Sequence, residues 1–315
     1  MSFIRFTFKF ILYLVLALIM FLAYGLYQYN HVLVDNPGFK PSIKTPLLTQ
    51  FTHSSKDISL PTGTQLNVYA INLDRSADRW QEMKPKLDKM QLTYFRLSAI
   101  DGKKIPSDIL RMNLDENKFV ELEGRKALNT EIGCYMSHYF AIQHFLQSSS
   151  SHALILEDDI DFNPHDLRII IQDLLTVKNK WDISTLHPYH RGNPITITML
   201  TQSKRNLVSF TPNTTPAAAY LLNRKAAHAL LQKALPMKIL YDDLLWMDWV
   251  TDLKYRGISP ALKLHSSADK STIDPQYTNR GNIYSDEKTI LNSFTKKLFG
   301  RSKYLRRLIY TLSTS

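Results

Sequence analysis

The sequence predicts an α/β domain built on a mostly parallel central sheet and carried behind an N-terminal transmembrane helix. Three observations predict it. Apolar strand-like runs alternate with helical patterns from residue 66 to about 235, as in βαβ folds. Residues 10–27 form an uncharged stretch of eighteen residues. A single cysteine, Cys134, rules out an intramolecular disulfide framework. At 315 residues and 44% hydrophobic, the chain fits one large domain or two small ones and excludes a disordered or fibrous protein.

The first element is the run FILYLVLALIMFLAYGLY, which as a helix spans roughly 27 Å, enough for a bilayer core. A cleaved signal peptide is the rival reading, since Arg5 and Lys9 would supply its charged region. The run is long for that role, and Ala23-Tyr24-Gly25 is a poor cleavage site. Residues 1–28 are therefore read as an anchor. Residues 29–65 carry Pro37, Pro41, Pro46 and Pro61 without sustained periodicity and read as a stalk.

The domain, residues 66–275, opens with the strand LNVYAINL and a helix from Ser76 to Met90. A second strand, LTYFRLSA, precedes a polar stretch and a helix from Thr130 to Gln147; the strand HALILEDD follows. Asp166 to about Val177 is helical in pattern. Short strands follow near Ile183–Leu186, Ile195–Leu200, Leu207–Thr211 and Ala218–Leu222. Asn223 caps a helix to about Leu235, and a last helix starts near Asp242.

The net charge is +11. Six of the excess charges are Lys296, Lys297, Arg301, Lys303, Arg306 and Arg307, beyond the last acid, Glu287. The body is close to neutral, which argues against a nucleic-acid platform and for membrane contact at the ends. The basic tail, residues 276–315, has apolar residues at mostly helical spacing and suits an anionic membrane surface. The alternative is a terminal helix docked on the domain.

Ligands of open α/β sheets collect beyond the carboxyl ends of strands. The strongest feature there is Glu157-Asp158-Asp159-Ile160-Asp161, where four acids close a buried-looking strand. Such a cluster repels itself unless a cation joins it, and a hard divalent ion does so while also gripping phosphate. Strand alternation sets Glu157, Asp159 and Asp161 on one side and Asp158 on the other. The competing reading is an acidic loop in which Asp161 or Asn163 starts the helix at Pro164.

At the end of the first strand, Asn72-Leu73-Asp74-Arg75-Ser76-Ala77-Asp78-Arg79 opens a helix with two arginines that suit phosphate. The plainer reading has Ser76 or Asp74 capping the helix and both arginines solvated. In the third segment, Cys134, Ser137 and His138 approach one helical face. Cys134 reads as a small core residue and His138 as a hydrogen-bonded helix residue or a substrate contact.

Five pieces occur in order: VYAINLDRSADR (68–79), FRLSAIDG (95–102), EIGCYMSH (131–138), LILEDDI (154–160) and AAYLL (218–222). Together they resemble glycosyltransferase family 25, the lipopolysaccharide-biosynthesis and collagen-galactosyltransferase-like group. The resemblance implies a GT-A-like nucleotide-sugar-binding fold that transfers a hexose, galactose or glucose, from a UDP-linked donor to a hydroxyl. It implies a Mn²⁺ (or Mg²⁺) cofactor on Asp159 with Glu157 or Asp158 helping. It also implies that Asn72, Arg75 and Arg79 begin the nucleotide site, with Asp101 at the base or ribose.

Under that resemblance, leaving-group charge is met by the metal and arginines. An inverting reaction also needs a carboxylate base. Asp242, Asp243 and Asp248 in YDDLLWMDW are the candidates, against an ordinary helix start beside core tryptophans. His265 is a candidate third metal ligand. The expected partners are a nucleotide sugar, a glycan or glycolipid acceptor such as lipopolysaccharide, and membrane lipid through the N-terminal helix and basic tail. Topology signals conflict. Charges flanking the anchor favour the body across the membrane, as in a Golgi or ER lumen, where Asn213-Thr214-Thr215 would be a glycosylation sequon. The donor supply and basic tail favour the cytoplasmic face of a bacterial inner membrane, the reading preferred here. A silent nucleotide-sugar-binding scaffold and a metal-dependent nucleotidyltransferase remain the alternatives.

Overall fold

The computed structural model describes residues 10–20, 23, 33, 35, 36, 38–51, 60, 61, 63–188, 194–210, 216–262, 307, 309, 310 and 313. His265 and the Asn213 sequon lie outside the described residues. Residues 10–20 form a helix, α1, with exposed apolar side chains. Much of the rest of the expected 10–27 span lies outside the described residues, and among those described no helix is long and apolar enough to cross a membrane.

The domain is mixed α/β. Its strands are β1 (Leu48–Phe51), β2 (Leu66–Asn72), β3 (Tyr94–Ser98), β4 (His152–Glu157), β5 (Ile183–Thr185), β6 (Ile195–Leu200), β7 (Arg205–Ser209), β8 (Ala219–Asn223) and β9 (Tyr255–Ser259). They join into one sheet in the order β1-β3-β2-β4-β8-β5-β9-β7-β6. The helices are α2 (Ala77–Met90), α3 (Ser107–Arg111), α4 (Glu116–Glu123), α5 (Asn129–Gln147), α6 (Pro164–Thr176), α7 (Arg224–Ala234), α8 (Tyr241–Trp246) and α9 (Asp248–Thr251).

Side chains alternate across the sheet. Leu66, Val68 and Ala70 of β2 pack with Met83 and Leu87 of α2 and with Leu167 and Ile171 of α6. Tyr69 and Ile71 of the same strand face a second core built on α5, α7 and α8. Burial on both faces is why β2 and β4 read as near-continuous apolar runs.

The expected mostly parallel sheet is corrected to a mixed one. β3, β2 and β4 are parallel neighbours, as are β5 and β9, whereas β8 runs antiparallel between β4 and β5, and β1, β6 and β7 pair antiparallel. A strand buried on both faces has the same apolar pattern in either direction, so local sequence does not carry this distinction.

The stalk expectation also changes. Within residues 29–65, β1 extends the sheet beside β3, and Phe51 stacks on Tyr94 at 4.9 Å. Leu33 and Ile43 are buried, and the Ser42 amide donates to Asn113 Oδ1 at 2.9 Å. The prolines punctuate a segment that nevertheless packs on the domain.

Caps place the helices around this sheet. Asn163 accepts the His165 and Asp166 amides ahead of Pro164, and Asn223 accepts the Ala226 amide at 2.8 Å. At the start of α5, Glu131 reaches back to the Leu128 amide at 2.9 Å and pairs with Arg125. β1, β9, α3 and α4 have no counterpart in the sequence reading.

Candidate functional site

Because β3, β2 and β4 are parallel, their carboxyl ends Ser98, Asn72 and Glu157 share one edge. An open cleft lies there, enclosing about 650 Å³ of space that includes its solvent-filled mouth. Its walls come from the four family-like segments nearest that edge: Leu73, Arg75 and Arg79; Ile100, Asp101 and Gly102; Thr130, Cys134 and His138; and Glu157, Asp158 and Asp159.

Close backbone contact joins two of those segments. A Cβ on Gly133 would lie 2.5 Å from the Ile100 carbonyl oxygen, and one on Gly102 would lie 1.9 Å from that of Asn129. Ser137 Oγ then takes the Ile100 amide at 2.8 Å. Two glycines therefore allow α5 to press against the loop after β3, carrying Cys134 and His138 to the cleft.

Asn72 is fully buried at the centre of a polar lattice. Its amide nitrogen donates to Asp158 Oδ2 at 2.7 Å and to the Ser76 carbonyl, while its oxygen accepts from Arg96 at 2.6 and 2.9 Å. Arg79 donates to Asp158 Oδ1 at 2.9 Å and lies 3.9 Å from Asp159. Burial opposes the Arg79 charge, but Asp158, Asp159 and Asp78 together raise its pKa. Arg75 pairs with Asp101 at 2.8 Å. Neither arginine is a free solvated group, and both are aimed into the cleft. Asp74 does not cap α2: its carboxylate binds Arg96 and Ser98 on β3.

The acid run does not alternate as an extended strand would. β4 ends at Glu157, and the chain turns at Asp158 and Asp159, so Glu157, Asp158 and Asp159 all line the cleft. Asp161 does not join them; it forms an ion pair with Lys86 at 2.7 Å with its side chain 52% exposed. Burial, reinforced by Asp158, raises the Glu157 pKa to about 7. Asp159 is raised to about 7 by burial and then by Glu157 and Asp158. Asp159 Oδ1 is buried with no hydrogen-bond partner.

Behind Glu157, His138 Nε2 lies 2.8 Å from its Oε1, and His138 Nδ1 lies 3.1 Å from the Tyr220 hydroxyl. That hydroxyl is 2.9 Å from the hydroxyl of Tyr241, whose ring stacks on the imidazole at 4.4 Å. Burial lowers the His138 pKa to about 4, so the ring is neutral. Burial raises the Cys134 thiol well above its usual range, which leaves it protonated.

The three acids near α8 separate. Asp242 accepts the Ala217 amide at 3.1 Å, and burial followed by the Glu157 charge raises it to about 7. Asp243 takes the Trp246 indole N–H at 2.9 Å and is raised by burial and by Glu123. Asp248 is fully buried and paired with Arg307. Of the three, Asp242 is the one whose charge interacts with Glu157 and His138. The sequence reading missed Arg96, Tyr220 and Tyr241. A charged residue in the middle of the apolar strand FRLS was a usable signal for Arg96.

A cation held among these acids is tested by the donors present. Each Asp158 oxygen already accepts one hydrogen bond, from Asn72 or Arg79, whereas Asp159 Oδ1 accepts none. Cys134, His138 and Glu157 have donor atoms within 4.8 Å of one another. His138 is committed to Glu157 and Tyr220, however, and the thiol is protonated. By donor chemistry, the carboxylate oxygens of Asp159 and Glu157 are of the hard type that Mn²⁺ or Mg²⁺ takes.

Residues 65–245 match the family model described as glycosyltransferase family 25 (LPS biosynthesis protein). A glycosyltransferase 25 family member of Drosophila pseudoobscura pseudoobscura is 31% identical over 134 residues, 40% of this chain and 19% of the relative. Procollagen galactosyltransferase 1 of Danio rerio is 25% identical over 164 residues, covering 50% of this chain and 26% of the relative. A probable inactive glycosyltransferase 25 family member 3 of Rattus norvegicus is 28% identical over 122 residues, covering 37% and 21%. The matches thus span only about a fifth to a quarter of these relatives' own lengths. With the matched region holding the whole cleft, the chain belongs to glycosyltransferase family 25.

Proposed function

We propose that this protein is a membrane-anchored hexosyltransferase of the GT-A type. It moves galactose or glucose from a UDP-linked donor to a hydroxyl of a surface glycan such as lipopolysaccharide. The observation that carries the reading is the cleft at the ends of β2, β3 and β4, where Arg75 and Arg79 face three carboxylates and Asp159 keeps an unpartnered oxygen. The family description and the galactosyltransferase among the relatives support the donor and acceptor classes.

In this reading Arg75 and Arg79 hold the diphosphate, and Asp101 orients the ribose or base. Asp159 and Glu157 would hold Mn²⁺ or Mg²⁺, which when bound stabilises negative charge on the departing diphosphate. His138 holds the Glu157 carboxylate in place from behind. The acceptor oxygen attacks the anomeric carbon as its bond to the diphosphate breaks, and Asp242 takes the acceptor proton if configuration inverts. The apolar stretch 10–27 anchors the domain at the cytoplasmic face of a bacterial inner membrane.

A nucleotide-sugar-binding protein without turnover is the second reading, favoured by relatives described as inactive. Incubating the protein with UDP-, GDP- and CMP-sugars, with and without Mn²⁺, and following nucleotide release separates them. Release of UDP supports transfer; saturable binding with no release to any acceptor supports the second reading; release of pyrophosphate would indicate a nucleotidyltransferase instead.

A further inference from the structure

The basic tail was expected either on a membrane surface or docked on the domain, and at Arg307 it is docked. This side chain is fully buried. Its Nε donates to the Phe210 carbonyl at 3.0 Å, Nη1 to the Trp246 carbonyl at 3.0 Å and Nη2 to the Tyr255 carbonyl at 3.1 Å. Nη1 also lies 2.5 Å from Asp248 Oδ2, itself fully buried. The guanidinium sits 5.0 Å from the Tyr255 ring centre and 5.6 Å from that of Phe210. A second tail residue, Tyr310, donates to Asp252 at 2.9 Å. A buried cation with this many partners is unavailable to lipid.

The elements it joins matter. Phe210 follows β7, Tyr255 opens β9, Trp246 closes α8 and Asp248 opens α9. α8 has six residues and few internal hydrogen bonds, so its position depends on what holds its ends. At its start, the Ala217 amide binds Asp242. At its end, Arg307 binds the carbonyl of Trp246, where a cation also complements the helix dipole.

We propose that Arg307 is a positioning residue that clamps the end of α8 to strands β7 and β9 and thereby fixes Asp242, the neighbour in α8 of the Tyr241 ring that stacks on His138. The clamp comes from outside the matched family region, residues 65–245, so the tail completes a site whose other parts lie within it. The consequence for transfer rests on Asp242 acting as proposed; the consequence for α8 does not.

The test uses the full chain with Arg307→Ala, Arg307→Lys and Asp242→Asn. In Arg307→Ala, amide exchange across residues 241–246 accelerates and kcat for nucleotide release falls at least about tenfold, while UDP affinity stays within about twofold. Added ethylguanidinium restores both slow exchange and kcat. Arg307→Lys stays impaired, because an ammonium does not reproduce three directed N–H donors. Unchanged exchange across α8 in a folded Arg307→Ala protein would overturn the clamp. So would global unfolding that guanidinium does not reverse. Normal turnover in Asp242→Asn would refute only the role given to Asp242, with the exchange measurement still deciding the clamp.

Discussion

His138 Nε2 and Glu157 Oε1 lie 2.8 Å apart, and one proton arrangement satisfies everything behind them. A neutral imidazole has a single N–H. When Nε2 carries it toward the Glu157 carboxylate, Nδ1 accepts from Tyr220, which in turn accepts from Tyr241. This buried series ties the floor of the cleft to α8.

Truncating the middle of that series leaves two buried polar groups unpaired. His138→Ala should destabilise the protein by about 2–4 kcal/mol and lower kcat by about tenfold or more, whereas Tyr241→Phe should cost only about 1 kcal/mol. Denaturant titrations of the two variants check the ranking.

The glycine contact between α5 and the loop after β3 gives a second outcome. Gly133→Ala drives a Cβ to 2.5 Å from the Ile100 carbonyl oxygen, a backbone atom with little freedom to move. Overpacking of this kind costs about 1–3 kcal/mol. Tm should fall, and donor affinity with it, because Asp101 and Thr130 flank the contact. An unchanged Tm would show that the two segments separate freely.

Asp242 makes stability and turnover respond oppositely to pH. Burial and then the Glu157 charge raise its folded pKa from the ordinary carboxylate range to about 7. A raised carboxyl contributes stability that is present below the unfolded pKa and is lost as pH rises through the folded one, so metal-free stability should decline between about pH 4 and 7. A base works only when ionised, so kcat/KM should climb across pH 7. In Asp242→Asn the rise in rate disappears and the stability slope is reduced.

The sequence revealed some of this site and hid the rest for physical reasons. The strands β2 and β4 were legible because each is apolar on both faces, and the caps Asn163 and Asn223 because their side chains act locally. The direction of β8 was not legible, since Ala219–Asn223 reads alike either way. β1 was hidden by prolines and by polar Thr49 and Gln50 on an edge strand. Strand alternation misassigned Asp158 and Asp161 because the chain turns directly after Glu157. The partners of His138 come from Tyr220 and Tyr241, distant in sequence, and no local pattern announces them. Arg307 looked like one of many exposed basic residues until its contacts were known.

The proposed membrane attachment through residues 10–27 is testable separately. Removing residues 1–28 should release the protein from membranes into the soluble fraction with its donor affinity intact. Retention on membranes after that deletion would assign attachment to another segment.

The most direct test of the central claim is nucleotide release from UDP-galactose and UDP-glucose, measured with Mn²⁺ or EDTA, in the full chain and in Asp159→Asn. Mn²⁺-dependent UDP release from one of these donors is expected, lowered at least about a hundredfold by the substitution. UDP release that persists in EDTA and in Asp159→Asn would contradict the role assigned to the acidic cluster.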